Sequence, residues 1–183
     1  LLVSINPGAP NGGSATQYFV GDFDGKTFTT SQKETKWIDN GTDNYAGVTY
    51  NDAPKGERVF LGWMSNWNYA RNTPTTNWRS AMTLPRTLSL STINGDFVLQ
   101  STPVEQFKKQ LTTDFSKGKI EIKKGSEKTL NYSNFNQSQI KFESKNKDLK
   151  LIFSNEVNDS LVLNYDAQKQ HFSIDRRHSG KVN

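Results

Sequence analysis

The chain has 183 residues, a formal net charge of +5, 33% hydrophobic residues and no cysteine. Eleven Phe, six Tyr and four Trp supply enough large side chains for a packed core, which argues against disorder. No run approaches the roughly 20 apolar residues of a membrane-spanning helix, and the lack of Cys excludes disulfides, thiolate metal sites and a cysteine nucleophile.

Taken in chain order, almost every strong signal has period two. Tyr18–Phe23 and Lys26–Phe28, separated by Asp24-Gly25, predict a strand, a tight turn and a strand. Val59–Met64 is a short apolar run, predicted as a buried strand. Ser80–Leu90 predicts another, and Asn94-Gly95-Asp96 turns it into Phe97–Gln100. Val104, Phe107 and Leu111 are spaced for one face of a short helix. Beyond it, Lys119–Lys123, Gln139–Glu143, Leu149–Ser154, Ser160–Tyr165 and Gln170–Asp175 each alternate, with Asn, Asp and Lys clusters between most of them. Strands at this spacing predict an all-β protein, a sandwich or a propeller-like array.

Composition changes along the chain. Residues 1–102 hold 8 basic and 8 acidic side chains, whereas residues 103–183 hold 15 and 10. All four Trp lie between Trp37 and Trp78. The change near Thr102-Pro103 predicts a boundary between domains 1–102 and 103–183. The lysines of the second part alternate with strand residues, the pattern of a solvated sheet face rather than of a nucleic-acid surface. The first residues are Leu1-Leu2-Val3 and the last Lys181-Val182-Asn183, so both ends read as cut from a longer protein. His171 and His178 make a poor zinc pair, and no metal or cofactor is expected.

Candidate chemistry is sparse. A retaining glycosidase needs two carboxyl groups about 5–5.5 Å apart. The first part offers Asp22, Glu34, Asp39, Asp43, Asp52, Glu57 and Asp96. Asp22, Asp24 and Asp96 read as turn formers, and Asn51-Asp52-Ala53-Pro54 reads as a turn between strands. No Ser-His-Asp arrangement is supported, and Gly12-Gly13-Ser14 lacks the following helix that a phosphate cradle requires. What stands out is Trp63-Met64-Ser65-Asn66-Trp67-Asn68-Tyr69, a strand end beside a polar loop. Indole and phenol faces stack on the C–H faces of sugars, while amides hydrogen-bond hydroxyls. Trp63, inside an apolar run, is expected in the core. Trp67, with polar neighbours, is open to packing or to binding.

Ile5–Gly21, with Asn6-Pro7-Gly8-Ala9-Pro10-Asn11-Gly12-Gly13-Ser14, resembles a stretch of glycoside hydrolase family 32, the invertases, levanases and inulinases. Asp43-Asn44-Tyr45-Ala46 resembles its Asp-x-Tyr-Ala segment. Leu61–Trp67, Thr73-Pro74-Thr75 and Trp78–Arg86 resemble another of its signatures. The match covers most of residues 5–90 in order and thins after Thr102, where Ile174–Gly180 is the clearest trace.

The resemblance implies the terminal part of a five-bladed β-propeller followed by the start of a β-sandwich. It also implies retaining hydrolysis of β-fructosidic bonds in levan, inulin or sucrose, by a secreted or cell-envelope enzyme. The family's three catalytic carboxylates sit in Trp-Met-Asn-Asp-Pro-Asn-Gly, Arg-Asp-Pro and Glu-Cys-Pro motifs, none of which is present here. No catalytic residue is therefore assigned, Asp52 included, and the chain alone is expected to be inactive. The resemblance implies substrate contact at Trp67, then at Asn66, Asp43 and Tyr45. Arg79 is read as a structural ion pair rather than a pocket residue. The partners expected are fructan or sucrose, with no nucleic acid and no membrane. A non-catalytic carbohydrate-binding module is the alternative. Asn40, Asn131, Asn136 and Asn158 lie in glycosylation sequons, which matter where the host glycosylates.

Overall fold

The structure is a computed structural model that describes residues 1–112, 117–133, 135–145 and 148–180, without the side chain of Asn136. The side chain that the Asn136 sequon would modify and the final Lys181-Val182-Asn183 thus lie outside what the structure describes. The chain divides into two compact units, Leu1–Lys109 and Gln110–Val182.

The first unit opens with β1 (Leu2–Ile5) and β2 (Ala15–Tyr18), which pair antiparallel with Leu2 opposite Tyr18. The strand expected over Tyr18–Phe23 breaks after Tyr18. A separate hairpin follows, β3 (Asp22–Phe23) and β4 (Phe28–Thr29). Its turn is locked by Asp24, whose carboxylate accepts from the backbone N–H groups of Lys26 (2.8 Å) and Thr27 (2.7 Å). β5 (Lys36–Trp37) then completes a three-stranded sheet in the order β1-β2-β5.

A second sheet is built around β7 (Arg58–Met64), which pairs with β6 (Tyr45–Thr49) along one edge. Its other edge is shared by β8 (Ala81–Met82) and β9 (Arg86–Ile93). The single strand expected over Ser80–Leu90 is thus two strands. Proline at 85 has no N–H for a ladder. Thr83 bridges the gap: its N–H donates to the Gly62 carbonyl (2.8 Å) and its Oγ1 accepts from the Gly62 N–H (2.9 Å). Asn94-Gly95, both at positive φ, turn β9 into β10 (Asp96–Pro103) as the sequence predicts. The outer edge of β10 is met by side chains of the first sheet: Lys36 Nζ donates to the Phe97 carbonyl (2.7 Å), and the Leu99 N–H donates to the Tyr18 hydroxyl (3.3 Å). The buried apolar residues belong to this unit: Phe60, fully buried, with Val59, Ala15, Tyr18 and Ala70.

The helix expected over Val104–Leu111 is a single turn, α1 (Glu105–Lys108). Its Val104 N-cap carries no capping side chain, and one turn is far below the length at which helices sustain themselves.

In the second unit, β11 (Leu149–Ser154), β12 (Ser160–Asp166) and β13 (His171–His178) form an antiparallel sheet close to the positions the alternation predicts. The register sets Leu149 opposite Tyr165 and Phe172, and Leu151 opposite Leu163 and Ile174, so one face is apolar. Phe135 packs on it through Phe153, with ring centroids 4.9 Å apart. Lys119–Lys123 and Gln139–Glu143, expected as strands, are irregular and exposed. Alternation marks an apolar face, but a strand also needs a partner for its backbone groups. No neighbouring strand offers one among the described residues.

Candidate functional site

The site begins where β7 ends. Trp63 stands directly opposite Tyr45 on β6, their rings edge-on at 6.1 Å and 60°. The chain then dips: Ser65 and Asn66 are buried at 3% and 1% exposure. The Asn66 carbonyl accepts from the N–H groups of Tyr69 (3.1 Å) and Ala70 (2.9 Å), which winds residues 66–70 into a turn. That turn swings Trp67 back onto Trp63, with ring centroids 5.0 Å apart and planes tilted by 53°.

Between them opens a concavity of about 370 Å³, lined by Trp63, Trp67, Ala70, Arg71, Arg79 and Ser80. Trp67 is 48% exposed, so its indole face is available to a ligand. Trp63, expected in the core, is only partly buried and shares the cleft. It sits near the end of β7, where its cross-strand neighbours Tyr45 and Met82 leave it partly open.

The other site residues fall in different places. Asn66, expected to touch sugar, lies beneath the surface with its amide engaged by backbone groups. Asp43 lies outside the cleft lining and accepts a hydrogen bond from the Tyr69 hydroxyl, which is also 3.1 Å from Thr42 Oγ1. Tyr45 braces Trp63 from outside the lining. Arg79 does line the cleft, and the ion pair expected for it does not form among the described residues. Its guanidinium donates instead to the carbonyls of Thr73 (3.0 Å) and Thr75 and to the Thr75 hydroxyl (3.1 Å), clasping loop 73–79.

Sequence reasoning missed the part played by Gly12-Gly13-Ser14. This loop packs under the Asn66–Asn68 segment. Ser14 is fully buried, and its Oγ accepts from the Trp67 N–H (3.2 Å). A Cβ on Gly13 would stand 2.0 Å from Asn66 Oδ1, so this close approach admits only glycine. Paired glycines ahead of a buried serine were the available signal.

The cleft can stack an apolar ring face and donate hydrogen bonds from guanidinium and hydroxyl groups. Its lining contains no carboxylate, so it cannot by itself supply an acid and a base. Asp52 and Glu57 line a separate, open concavity with Tyr50, Asn51, Ala53 and Arg58. Among the described residues, no cluster of three His, Asp or Glu side chains could hold a metal, and no helix is long and apolar enough to cross a membrane.

Residues 1–103 match the model of the glycosyl hydrolases family 32 N-terminal domain. The chain belongs to that family. It is 36% identical to the extracellular exo-inulinase of Aspergillus awamori over 197 residues, covering 100% of this chain and 37% of the relative. It is 46% identical over 110 residues to the levanase of Bacillus subtilis, covering 58% of this chain and 16% of the relative. The crystal structure of the A. awamori exo-inulinase superposes with a TM-score of 0.75 at 29% identity, over 99% of this chain and 38% of that one. The chain therefore spans little more than a third of the length of its A. awamori relative. Its fold is all-β, the terminal part of a five-bladed β-propeller followed by the start of a β-sandwich.

Proposed function

We propose that this chain is part of a β-fructosidase that releases terminal β-D-fructofuranosyl units from inulin, levan or sucrose with retention. Residues 1–102 are the propeller part and residues 103–183 the sandwich part. The chain supplies the aromatic wall of the fructose pocket, with Trp67 as the stacking face and Trp63 closing it from the side. Asp43 and Tyr45 support that wall from outside the lining. The observation that carries this reading is the exposed, tilted Trp63–Trp67 pair inside a family 32 match, in a cleft that holds no carboxylate. Neither nucleophile nor acid/base is assigned to these 183 residues, so bond cleavage draws its carboxylates from elsewhere in the polypeptide. The extracellular relative supports a secreted or cell-envelope location.

The test has two arms. The 183 residues alone, given sucrose, inulin or levan, are expected to release no fructose, and turnover would overturn the division of labour. In the catalytically complete protein, Trp67→Ala is expected to lower kcat/KM for fructan at least tenfold, because stacking is lost in ground and transition states alike. An unchanged kcat/KM removes Trp67 from the pocket. The same carboxylate-free cleft also favours a second reading, a non-catalytic carbohydrate-binding module. Calorimetric binding of fructan by the isolated chain at micromolar affinity selects that reading.

A further inference from the structure

We infer that Asn66 is a positioning residue: it fixes the angle of the Trp67 indole and acts on substrate only through it. This rests on the reading of Trp67 as the stacking face. An asparagine amide offers two donor hydrogens and an oxygen with two lone pairs. In Asn66 all of that capacity is spent inside the protein. Oδ1 accepts from the N–H groups of Ser14 (3.3 Å) and Asn68 (3.0 Å). Nδ2 faces the carbonyls of Gly12 (3.1 Å), Ser14 (3.3 Å) and Thr42 (2.9 Å). With 1% exposure and no free lone pair or hydrogen, the amide cannot reach a sugar hydroxyl.

What the amide does instead is join three segments that lie far apart in sequence. Its partners in the glycine loop are 52 and 54 residues away, and Thr42 is 24 away. The residue that follows, Trp67, donates its own N–H to Ser14 Oγ (3.2 Å). The N–H groups on both sides of the Trp67 Cα are thus engaged, that of Trp67 by the glycine loop and that of Asn68 by the Asn66 amide. A Cβ added at Gly13 would stand 2.0 Å from Oδ1, so the glycine backbone passes directly against the amide. Movement of the Trp67 backbone away from the glycine loop requires this lock to open.

The experiment uses fluorine NMR on the full chain labelled with 5-fluorotryptophan, in which Trp67→Phe assigns the Trp67 line among four. Asn66→Asp keeps the side-chain shape but turns a carboxylate toward three carbonyls. Ser14→Ala is the milder variant, removing only the hydroxyl that holds the Trp67 N–H. Either is expected to shift and broaden the Trp67 line while those of Trp37 and Trp78 stay in place. An unmoved Trp67 line in a folded Asn66→Asp or Ser14→Ala protein overturns the assignment. In the catalytically complete protein, Asn66→Asp is expected to lower kcat/KM for inulin about as far as Trp67→Ala. The double variant should fall no more than twofold below Trp67→Ala, since both changes act through one side chain. Multiplying effects would mean that Asn66 acts independently and would also overturn it. A Trp67 line that moves while Trp67→Ala leaves kcat/KM intact refutes the pocket reading and leaves the positioning role standing.

Discussion

Every buried residue among the described ones lies between Gly13 and Thr83, whereas the sheet β11-β12-β13 contains none. Both regions pair strands antiparallel, each with one register shift, at Tyr45/Val48 in the first and at Ser160/Val162 in the second, and the second does so over longer strands than most of the first. The contrast lies in what crosses between strands and loops. In the first unit Ser14, Thr16, Asn44, Ser65, Asn66 and Thr83 are buried polar residues. Four of them have side chains bound to main-chain groups distant in sequence. In the second, an apolar face is assembled, and Phe135 packs on it through Phe153, but none of its described residues is buried. Strand patterning builds a surface; burial requires a second layer.

The largest way to break this contrast is a matched pair of truncations. Phe60→Ala removes a fully buried ring and is expected to lower stability by about 3–5 kcal/mol. All four Trp lie in the first unit, so a fall in the urea midpoint of indole emission reports it. Phe172→Ala removes a ring that is 55% exposed and should shift the unfolding seen by circular dichroism by less than about 0.5 kcal/mol. Equal losses would show that the second sheet is covered as well as the first.

A finer comparison uses two glycines with nearly the same backbone angle. Gly13 has φ +70° with Asn66 and Asn68 atoms within contact of any added carbon, and Gly125 has φ +78° with open space around it. Gly125→Ala carries only the left-handed penalty, about 1 kcal/mol. Gly13→Ala adds overpacking to it, for a total of about 2–4 kcal/mol. It should also raise acrylamide quenching of the indoles as Trp67 loosens. A pair of equal losses would mean that Asn66 yields easily, which removes the rigid lock beneath the cleft.

The legible and illegible parts of the sequence divide along the same physical line. Asn94-Gly95 predicted its hairpin because the information is local: two residues that accept positive φ between alternating strands. For Trp67 the sequence keeps binding open beside packing, because its own neighbours are polar. Trp63 was not recognisable as a cleft residue, because its sequence neighbours are apolar and its exposure depends on Tyr45 and Met82, each 18 or 19 residues away. The hub at Asn66 was hidden for the same reason, since four of its five side-chain hydrogen bonds span 24 residues or more. Lys119–Lys123 and Gln139–Glu143 failed as strands although their alternation is sound, because periodicity records a face and not a partner.

The smallest expected effect concerns a device the two units share. Asp24 in the first unit accepts from the N–H groups two and three residues ahead, and Asp166 in the second does the same toward Gln168 and Lys169, both at 3.0 Å. Backbone donation, led by Thr27 for Asp24 and by Lys169 for Asp166, holds each carboxyl below its ordinary value of 3.8. A carboxylate with a depressed folded-state pKa gives its full stabilisation above the unfolded value, and that contribution fades as pH falls through the folded one. Both turns are therefore expected to loosen only in acid below pH 3.8 and to be unaffected between neutrality and pH 5. Carboxyl carbon NMR titration should place both midpoints below that of an unstructured peptide. Because each device spans only four residues and depends on no core, Asp24→Ala and Asp166→Ala should act alike despite the difference in burial around them. A clearly larger effect in the first unit would show that even its turns draw on the polar lock, and a larger one in the second would show that its sheet relies on its turns for want of a buried layer.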